Sequence, residues 1–62
     1  MPKYPSPTPA QVRAWRDSAH LTQQQAAELL HTSLSAYQQW EYGTRPMHPA
    51  FWELARIKTL DD

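Results

Sequence analysis

Four neighbouring side chains in the middle of the chain have the chemistry to recognise the edges of nucleic-acid bases. They share one side of a predicted helix, opposite the aromatic Tyr37 and Trp40, and we call them the polar patch: Leu34, Ser35, Gln38 and Gln39. A glutamine can pair bidentately with adenine, a serine hydroxyl can donate or accept, and a leucine can pack on a thymine methyl group. The uncharged patch predicts direct base contacts, and the alternative is an ordinary polar helix surface.

The residues needed for catalysis or for metal binding are scarce. The chain has no cysteine, its acidic helix residues are separated, and its three histidines are spread out as His20, His31 and His48. A chain of 62 residues also has little room for a substrate pocket. We therefore expect a protein that is not an enzyme and has no metal, no cofactor and no small-molecule ligand.

Charge and length set further bounds. The chain has six basic and six acidic residues, so its net charge is zero, which weighs against a nucleic-acid binder. However, Asp61 and Asp62 lie at the C-terminus, so we expect the folded body to be mildly basic with modest non-specific affinity for DNA. No leader-like or membrane-spanning apolar run is visible, and the prediction is a single soluble, cytoplasmic domain without membrane contact.

Capping residues predict where the helices begin. Thr8, Thr22 and Ser33 can each accept a hydrogen bond from the first turn of a helix, and the lone glycine, Gly43, can end one. Together with a proline-initiated final segment, they predict four helices, over about 8–20, 22–31, 33–42 and 49–59. The fold class is therefore all-α, with one domain over 8–60, preceded by a proline-rich arm over 1–7 that is disordered or extended. The alternative is an arm that touches DNA through Lys3 or Tyr4.

Apolar spacing predicts the core and a second surface. The residues expected to fill the core are Trp15, Tyr37, Trp40, Phe51 and Leu54. Trp52 and Ile57 lie partly off the inner stripe of the fourth helix, so we expect them to form a homodimer contact. The alternative is that both close the core against the first helix.

The second and third helices meet with almost no linker at residues 31–33, which is the mark of a helix-turn-helix over 22–42. In that motif the first helix crosses the phosphate backbone and the second lies in the major groove. Arg45, just after the third helix, is the best candidate for a phosphate contact, ahead of Thr44 and Tyr42. Ser33 is explained by capping, although its hydroxyl could also reach a phosphate.

The motif LTQQQAAELL over 21–30 is followed by Ser33, Trp40-Glu41, Gly43 and Arg45. This pattern closely resembles the Cro/repressor (XRE-type) helix-turn-helix family of small phage or bacterial transcriptional regulators. The resemblance implies a compact four-helix domain of the lambda-repressor-like type, without the fifth helix that is usual there. His31 stands where the family often has glycine, and a left-handed histidine would carry strain of about 1 kcal/mol.

The resemblance also implies roles for individual residues. In the family, the glutamine that corresponds to Gln23 contacts phosphate at the start of the second helix. The arginine of the first helix often pairs with the glutamate that ends the third, so we expect a partly buried, structural Arg16–Glu41 ion pair. This pair would orient the third helix.

Two functions fit these expectations. The first is a nucleoid-associated transcriptional regulator in a bacterial or phage-infected cell, acting as a homodimeric repressor that binds a palindrome in double-stranded DNA. The second is a protein-interaction module, such as an antitoxin or anti-repressor, that keeps the fold. Rising salt should weaken DNA binding but not an apolar protein contact.

Overall fold

Four α-helices follow one another in the computed structural model, which describes residues 6–59. They are α1 (Pro9–Ser18), α2 (Gln23–Leu29), α3 (Leu34–Tyr42) and α4 (Pro49–Lys58). No strand is present within 6–59, so the predicted all-α, four-helix class is confirmed. None of the helices in this range is long and apolar enough to cross a membrane.

The helices begin at the capping residues that the sequence offered. The hydroxyls of Thr8 and Thr22 accept from the backbone N–H groups of Gln11 and Gln25, and the side-chain oxygens of these glutamines accept in turn from the backbone N–H groups of the two threonines. Ser33 accepts from the third residue of α3 at 3.1 Å. Each of these contacts satisfies a backbone donor that a helix start leaves unpaired, which fixes where α1, α2 and α3 begin.

Left-handed residues end three of the helical segments. Gly43 has a φ of 87°, and the backbone N–H groups of Gly43, Thr44 and Arg45 all point to the carbonyl of Gln39. His20 and His31, after α1 and α2, have φ values of 60° and 58°. The left-handed histidine considered for the tight turn is therefore present, and a second one precedes α2.

The core lies between α3 and the other helices. The fully or nearly buried apolar side chains are Val12, Ala26, Ala27, Leu30, Tyr37, Trp40, Met47 and Ala55. The ring of Trp40 packs against Tyr37 at 5.9 Å and against Phe51 at 5.0 Å, measured between ring centroids. Trp15, Phe51 and Leu54 are partly buried against this cluster. The predicted aromatic core is thus assembled, and the loop residue Met47, which no periodic pattern indicated, completes it.

The two residues expected to form a dimer surface have different environments. Trp52 is partly buried and packs against the core cluster. Ile57 is 61% exposed on the last turn of α4. Pro7, which the sequence assigned to the arm, is buried. Lys3, Tyr4, Asp61 and Asp62 lie outside the described residues.

Candidate nucleic-acid interface

The turn between α2 and α3 is short and closed by backbone hydrogen bonds. The N–H of His31 donates to the carbonyl of Glu28 at 3.2 Å, and that of Thr32 donates to the carbonyl of Ala27 at 3.0 Å. Ala26 and Ala27 are completely buried, and their small side chains let α3 approach α2 closely. This geometry holds the two helices as one unit and leaves the outer side of α3 at the surface.

The polar patch occupies the outer side of α3. Ser35 is exposed, whereas the other three members are partly buried at their bases. On the opposite side of the helix, Tyr37 is fully buried and Trp40 is 6% exposed. The helical spacing therefore places the four predicted residues on one side of α3, where Ser35 is exposed and the other three are partly exposed.

A buried carboxylate ties α1, α2 and α3 together beneath this surface. Glu41 is only 3% exposed, and it accepts hydrogen bonds from three side chains. Arg16 donates from Nε at 2.6 Å and from Nη2 at 3.2 Å, and the Tyr37 hydroxyl donates at 2.6 Å. Gln23 donates from Nε2 at 3.1 Å. We call these four residues the Glu41 network.

The ion pair that the resemblance implied is therefore present, and it has more partners than expected. Arg16 also donates from Nη1 to the carbonyl of Leu21 at 3.1 Å, which connects α1 to the start of α2. Tyr37 and Glu41 are four residues apart on one helix, and side chains at this spacing are neighbours, so the sequence could have indicated their contact. The contact between Gln23 and Glu41 spans 18 residues, and no local pattern indicates it.

The electrostatics of the Glu41 network favour a charged carboxylate. Burial opposes ionisation, but the hydrogen bonds from Arg16, Tyr37 and Gln23 outweigh it and hold the pKa of Glu41 below its ordinary value of 4.5. The hydrogen bond to Glu41 raises the pKa of Arg16, with burial acting in the opposite direction. Burial, reinforced by the hydrogen bond to Glu41, raises the pKa of Tyr37 well above its ordinary value. The site thus contains an ionised pair and a neutral phenol.

One member of the Glu41 network extends it into the polar patch. The Oε1 atom of Gln23 accepts a hydrogen bond from Nε2 of Gln38 at 3.2 Å. Gln23, for which the resemblance implied a phosphate contact, is therefore also a structural bridge between α2 and α3. Only one of its two amide hydrogens is needed for Glu41, so the amide retains a second donor hydrogen.

The remaining phosphate candidates lie at the two ends of α3. The Ser33 hydroxyl caps the helix start, as capping predicted, and the Thr44 hydroxyl donates to the carbonyl of Gln39 at 3.5 Å. Tyr42 is 62% exposed, and Arg45 is exposed beside it. Tyr42 and Arg45 are thus the candidates whose side chains stand free of the fold at the C-terminal end of α3.

The segment that includes α3 and its flanking turns carries almost no charge of its own. Between residues 29 and 52 the only charged side chains are Glu41, which is buried against Arg16, and Arg45. Within 6–59 no group of three or more potential ligand residues is arranged to hold a metal ion. The chemistry of this surface is therefore that of amides, hydroxyls and one guanidinium, which suits hydrogen bonding to polar edges.

Two comparisons with known proteins bear on this site. A family model described as helix-turn-helix matches residues 12–57. Among curated proteins, the Type II methyltransferase M.MspI from Moraxella sp is 41% identical over 46 residues. That segment is 74% of this chain but 11% of the methyltransferase, so the chain spans about a tenth of the relative's length. The family match includes all of α2 and α3 and every residue of the Glu41 network.

Proposed function

This chain belongs to the helix-turn-helix family, as its motif predicted, and we propose that it regulates transcription by binding one specific sequence of double-stranded DNA. Membership identifies a DNA-binding domain, and the specific role is our inference. The observation that supports it best is the polar patch, an uncharged hydrogen-bonding surface on α3 backed by a buried ionic network. Rigid support of this kind presents side chains to a ligand in one geometry.

In the proposed complex α3 lies in the major groove and α2 crosses the sugar–phosphate backbone. The polar patch then faces base edges, which supply sequence information. The phosphates then lie near the ends of α2 and α3. The residues proposed to contact them are Gln23, Ser33, Tyr42, Thr44 and Arg45. Arg45 is the strongest of these candidates because its guanidinium is exposed and can form two parallel hydrogen bonds with a phosphate.

We further propose that the protein binds as a homodimer and represses transcription. Two copies related by a twofold axis would contact half-sites about 10 base pairs apart in a palindrome. Arg45 is the one exposed cation between residues 29 and 52, and it provides little phosphate attraction, so a second copy would supply affinity that charge does not. Exposed Ile57 on α4 is the apolar residue that supports a contact there, and Trp52, now packed on the core, would contribute only its exposed edge.

The methyltransferase activity named for the Moraxella protein is not part of this proposal. The shared segment is 11% of that protein, and it corresponds to the helix-turn-helix of this chain. We propose that the chain contributes sequence recognition, with no chemical step of its own.

Selection of bound duplexes from a random pool tests the proposal. The wild-type protein should enrich one sequence, and Gln38→Ala and Gln39→Ala should each lose preference at particular positions within it. Gln24→Ala is the matched control, because Gln24 is an exposed glutamine on α2 whose amide hydrogen bonds to Glu28 at 3.0 Å. If both polar-patch variants keep the full wild-type preference, the polar patch does not contact bases.

Sedimentation tests the dimer separately. Ile57→Gln should shift the protein toward monomer and weaken binding to a palindrome more than binding to a half-site. Arg56→Gln, the exposed neighbour on α4, should do neither. The second candidate function, a protein-interaction module, is favoured by the same exposed Ile57, and it would gain support if no duplex were enriched.

A further inference from the structure

We propose that the Glu41 network fixes the amide orientation of Gln38, so that Gln38 selects adenine over guanine at one position of the DNA site. The inference rests on the proposed function and deepens it, because it names the base. It is carried by a chain of hydrogen bonds that runs from Arg16 through Glu41 and Gln23 to Gln38.

The first step is the orientation of Gln23. An ionised carboxylate has no proton and can only accept hydrogen bonds. Because Glu41 is held in this form by Arg16, the group of Gln23 that faces it must be the amide nitrogen, at 3.1 Å. Rotating the Gln23 amide by half a turn would place two acceptors against each other in a buried position, which is costly. Proton chemistry therefore assigns this amide.

The second step transfers that orientation to the surface. Because the Gln23 nitrogen donates to Glu41, its carbonyl oxygen faces Gln38. Gln38 must therefore donate to this oxygen from its amide nitrogen, at 3.2 Å. Gln38 then has two groups left for a ligand, its carbonyl oxygen and one amide hydrogen. The partly buried position of Gln38 limits its freedom to adopt another arrangement.

The third step matches these groups to a base. In the major groove adenine offers the N6 donor beside the N7 acceptor, which complements a carbonyl oxygen and an N–H group. Guanine offers two acceptors, O6 and N7, and its O6 would face the Gln38 carbonyl without a proton between them. An amide free to turn could adapt to guanine, but the one held by Gln23 cannot. Glu41 thus acts as a positioning residue for base choice.

Gln23→Met tests the bridge while keeping the length of the side chain. Glu41 retains Arg16 and Tyr37 in this variant, so the fold should survive, but Gln38 becomes free to turn. At the position assigned by Gln38→Ala, the wild-type protein should prefer adenine to guanine by about tenfold or more, and Gln23→Met should reduce that ratio to a few-fold or less. Gln24→Met, which breaks an equivalent amide–carboxylate contact on the exposed side of α2, should leave the ratio unchanged.

Glu41→Gln gives a stronger expectation wherever enough folded protein remains. The oxygen of the new amide should stay on Arg16 Nε, the shortest contact, and its nitrogen should then face Gln23. Both glutamines would turn in response, and Gln38 would present two amide hydrogens to the groove. These suit the two acceptors of guanine, so the preference at this position should reverse.

The side-chain amide resonances of Gln38 in the free protein provide a readout that needs no DNA. One hydrogen should resonate downfield of free glutamine in the wild type and in Gln24→Met, and it should return to the free value in Gln23→Met. Loss of that signature in Gln23→Met, together with a reduced base preference, would support the proposed chain of hydrogen bonds from Glu41 through Gln23 to Gln38. A wild-type preference for guanine at this position, or an unchanged ratio in Gln23→Met, would overturn it. Failure of the wild type to enrich any duplex would instead contradict DNA binding itself. The amide signature would still test whether Gln23 holds the Gln38 amide in one orientation.

Discussion

At the residue scale, Glu41 has the most demanding environment in the fold. Its side chain is 1% exposed, and a charge in that position requires partners for both carboxylate oxygens. Arg16 and Gln23 donate to Oε1, and Arg16 and Tyr37 donate to Oε2. Every buried polar side-chain atom within 6–59 has a hydrogen-bond partner. The ion pair is therefore compatible with burial, because both carboxylate oxygens have hydrogen-bond donors.

Replacing Glu41 with glutamine should destabilise the fold strongly. The variant leaves the Arg16 guanidinium largely buried without its counter-charge, and the expected loss in the free energy of unfolding is about 3–5 kcal/mol. Chemical denaturation followed by tryptophan fluorescence measures this. Glu28→Gln is the control, because Glu28 is exposed and its loss should cost under about 0.5 kcal/mol. A Glu41→Gln protein as stable as the wild type would refute the structural role of the pair.

Stability should fall in acid because of the same residue. The pKa of Glu41 in the folded protein lies below the ordinary value of 4.5, so its contribution is fully present above pH 4.5 and is lost as the pH falls through the folded-state pKa. The difference in unfolding free energy between the wild type and Glu41→Gln should therefore shrink as the pH is lowered from 6 to 3. A difference that stays constant over this range would mean that Glu41 is not the titrating group.

The sequence determined some of these contacts and left others open. Helical spacing was enough to bring the polar patch together, because a regular α3 leaves little choice of face. The Arg16–Glu41 pair followed from the family resemblance and not from spacing. The bridge from Gln23 to Gln38 was beyond prediction, since it depends on how closely α2 approaches α3 and on the protonation of Glu41.

At the scale of elements, the turns before α2 and α3 each contain a left-handed histidine. His20 and His31 have φ values near 60°, a conformation that costs a residue with a Cβ roughly 1–2 kcal/mol. Glycine removes this cost but loses about 0.5–1 kcal/mol of chain entropy. Glycine at either of these two positions should therefore give a higher free energy of unfolding than histidine does.

His20→Gly should raise the free energy of unfolding by about 0.5–1 kcal/mol, and His31→Gly should do the same. The gain from His31→Gly should lie at the lower end of this range, because His31 Nε2 lies 3.2 Å from Nζ of Lys58 and glycine removes this contact. Thermal unfolding followed by circular dichroism measures both. Ala14→Gly, in the middle of α1 and exposed, should lower stability by a similar amount. Stabilisation by Ala14→Gly as well would show that left-handed strain is not the cause.

Helix boundaries were the part of the fold most accessible from the sequence. Thr8, Thr22 and Ser33 occupy the caps that were expected of them, because a hydroxyl at that position satisfies a local backbone donor. Burial outside helices was less accessible. Pro7 and Met47 are buried although neither lies in a helix, and periodic spacing carries no information on the burial of such residues.

At the scale of the whole molecule, the charge balance predicts an unusually weak salt dependence for a DNA-binding domain. The described residues include five cations and four anions, and Arg16 is neutralised by Glu41. With Arg45 as the cation beside α3, the slope of log K against log salt concentration should be only about −1 for each protomer, since each neutralised phosphate contributes about −0.9.

Fluorescence anisotropy across a salt series measures that slope. Arg45→Ala should make it shallower by about one unit per protomer, whereas Arg56→Ala on α4 should leave it unchanged. A slope steeper than about −6 in the wild type would mean that many more cations than Arg45 contact phosphates.

The central claim is that the polar patch of α3 lies against base edges, and nuclear magnetic resonance tests it most directly. Isotope-labelled protein would be titrated with the selected duplex and, separately, with a duplex altered at the Gln38 and Gln39 positions. The side-chain amides of these two glutamines should shift strongly with the selected duplex and far less with the altered one, while the exposed amide of Gln24 changes little in both. Tight binding with the Gln38 and Gln39 amides unmoved would contradict the claim.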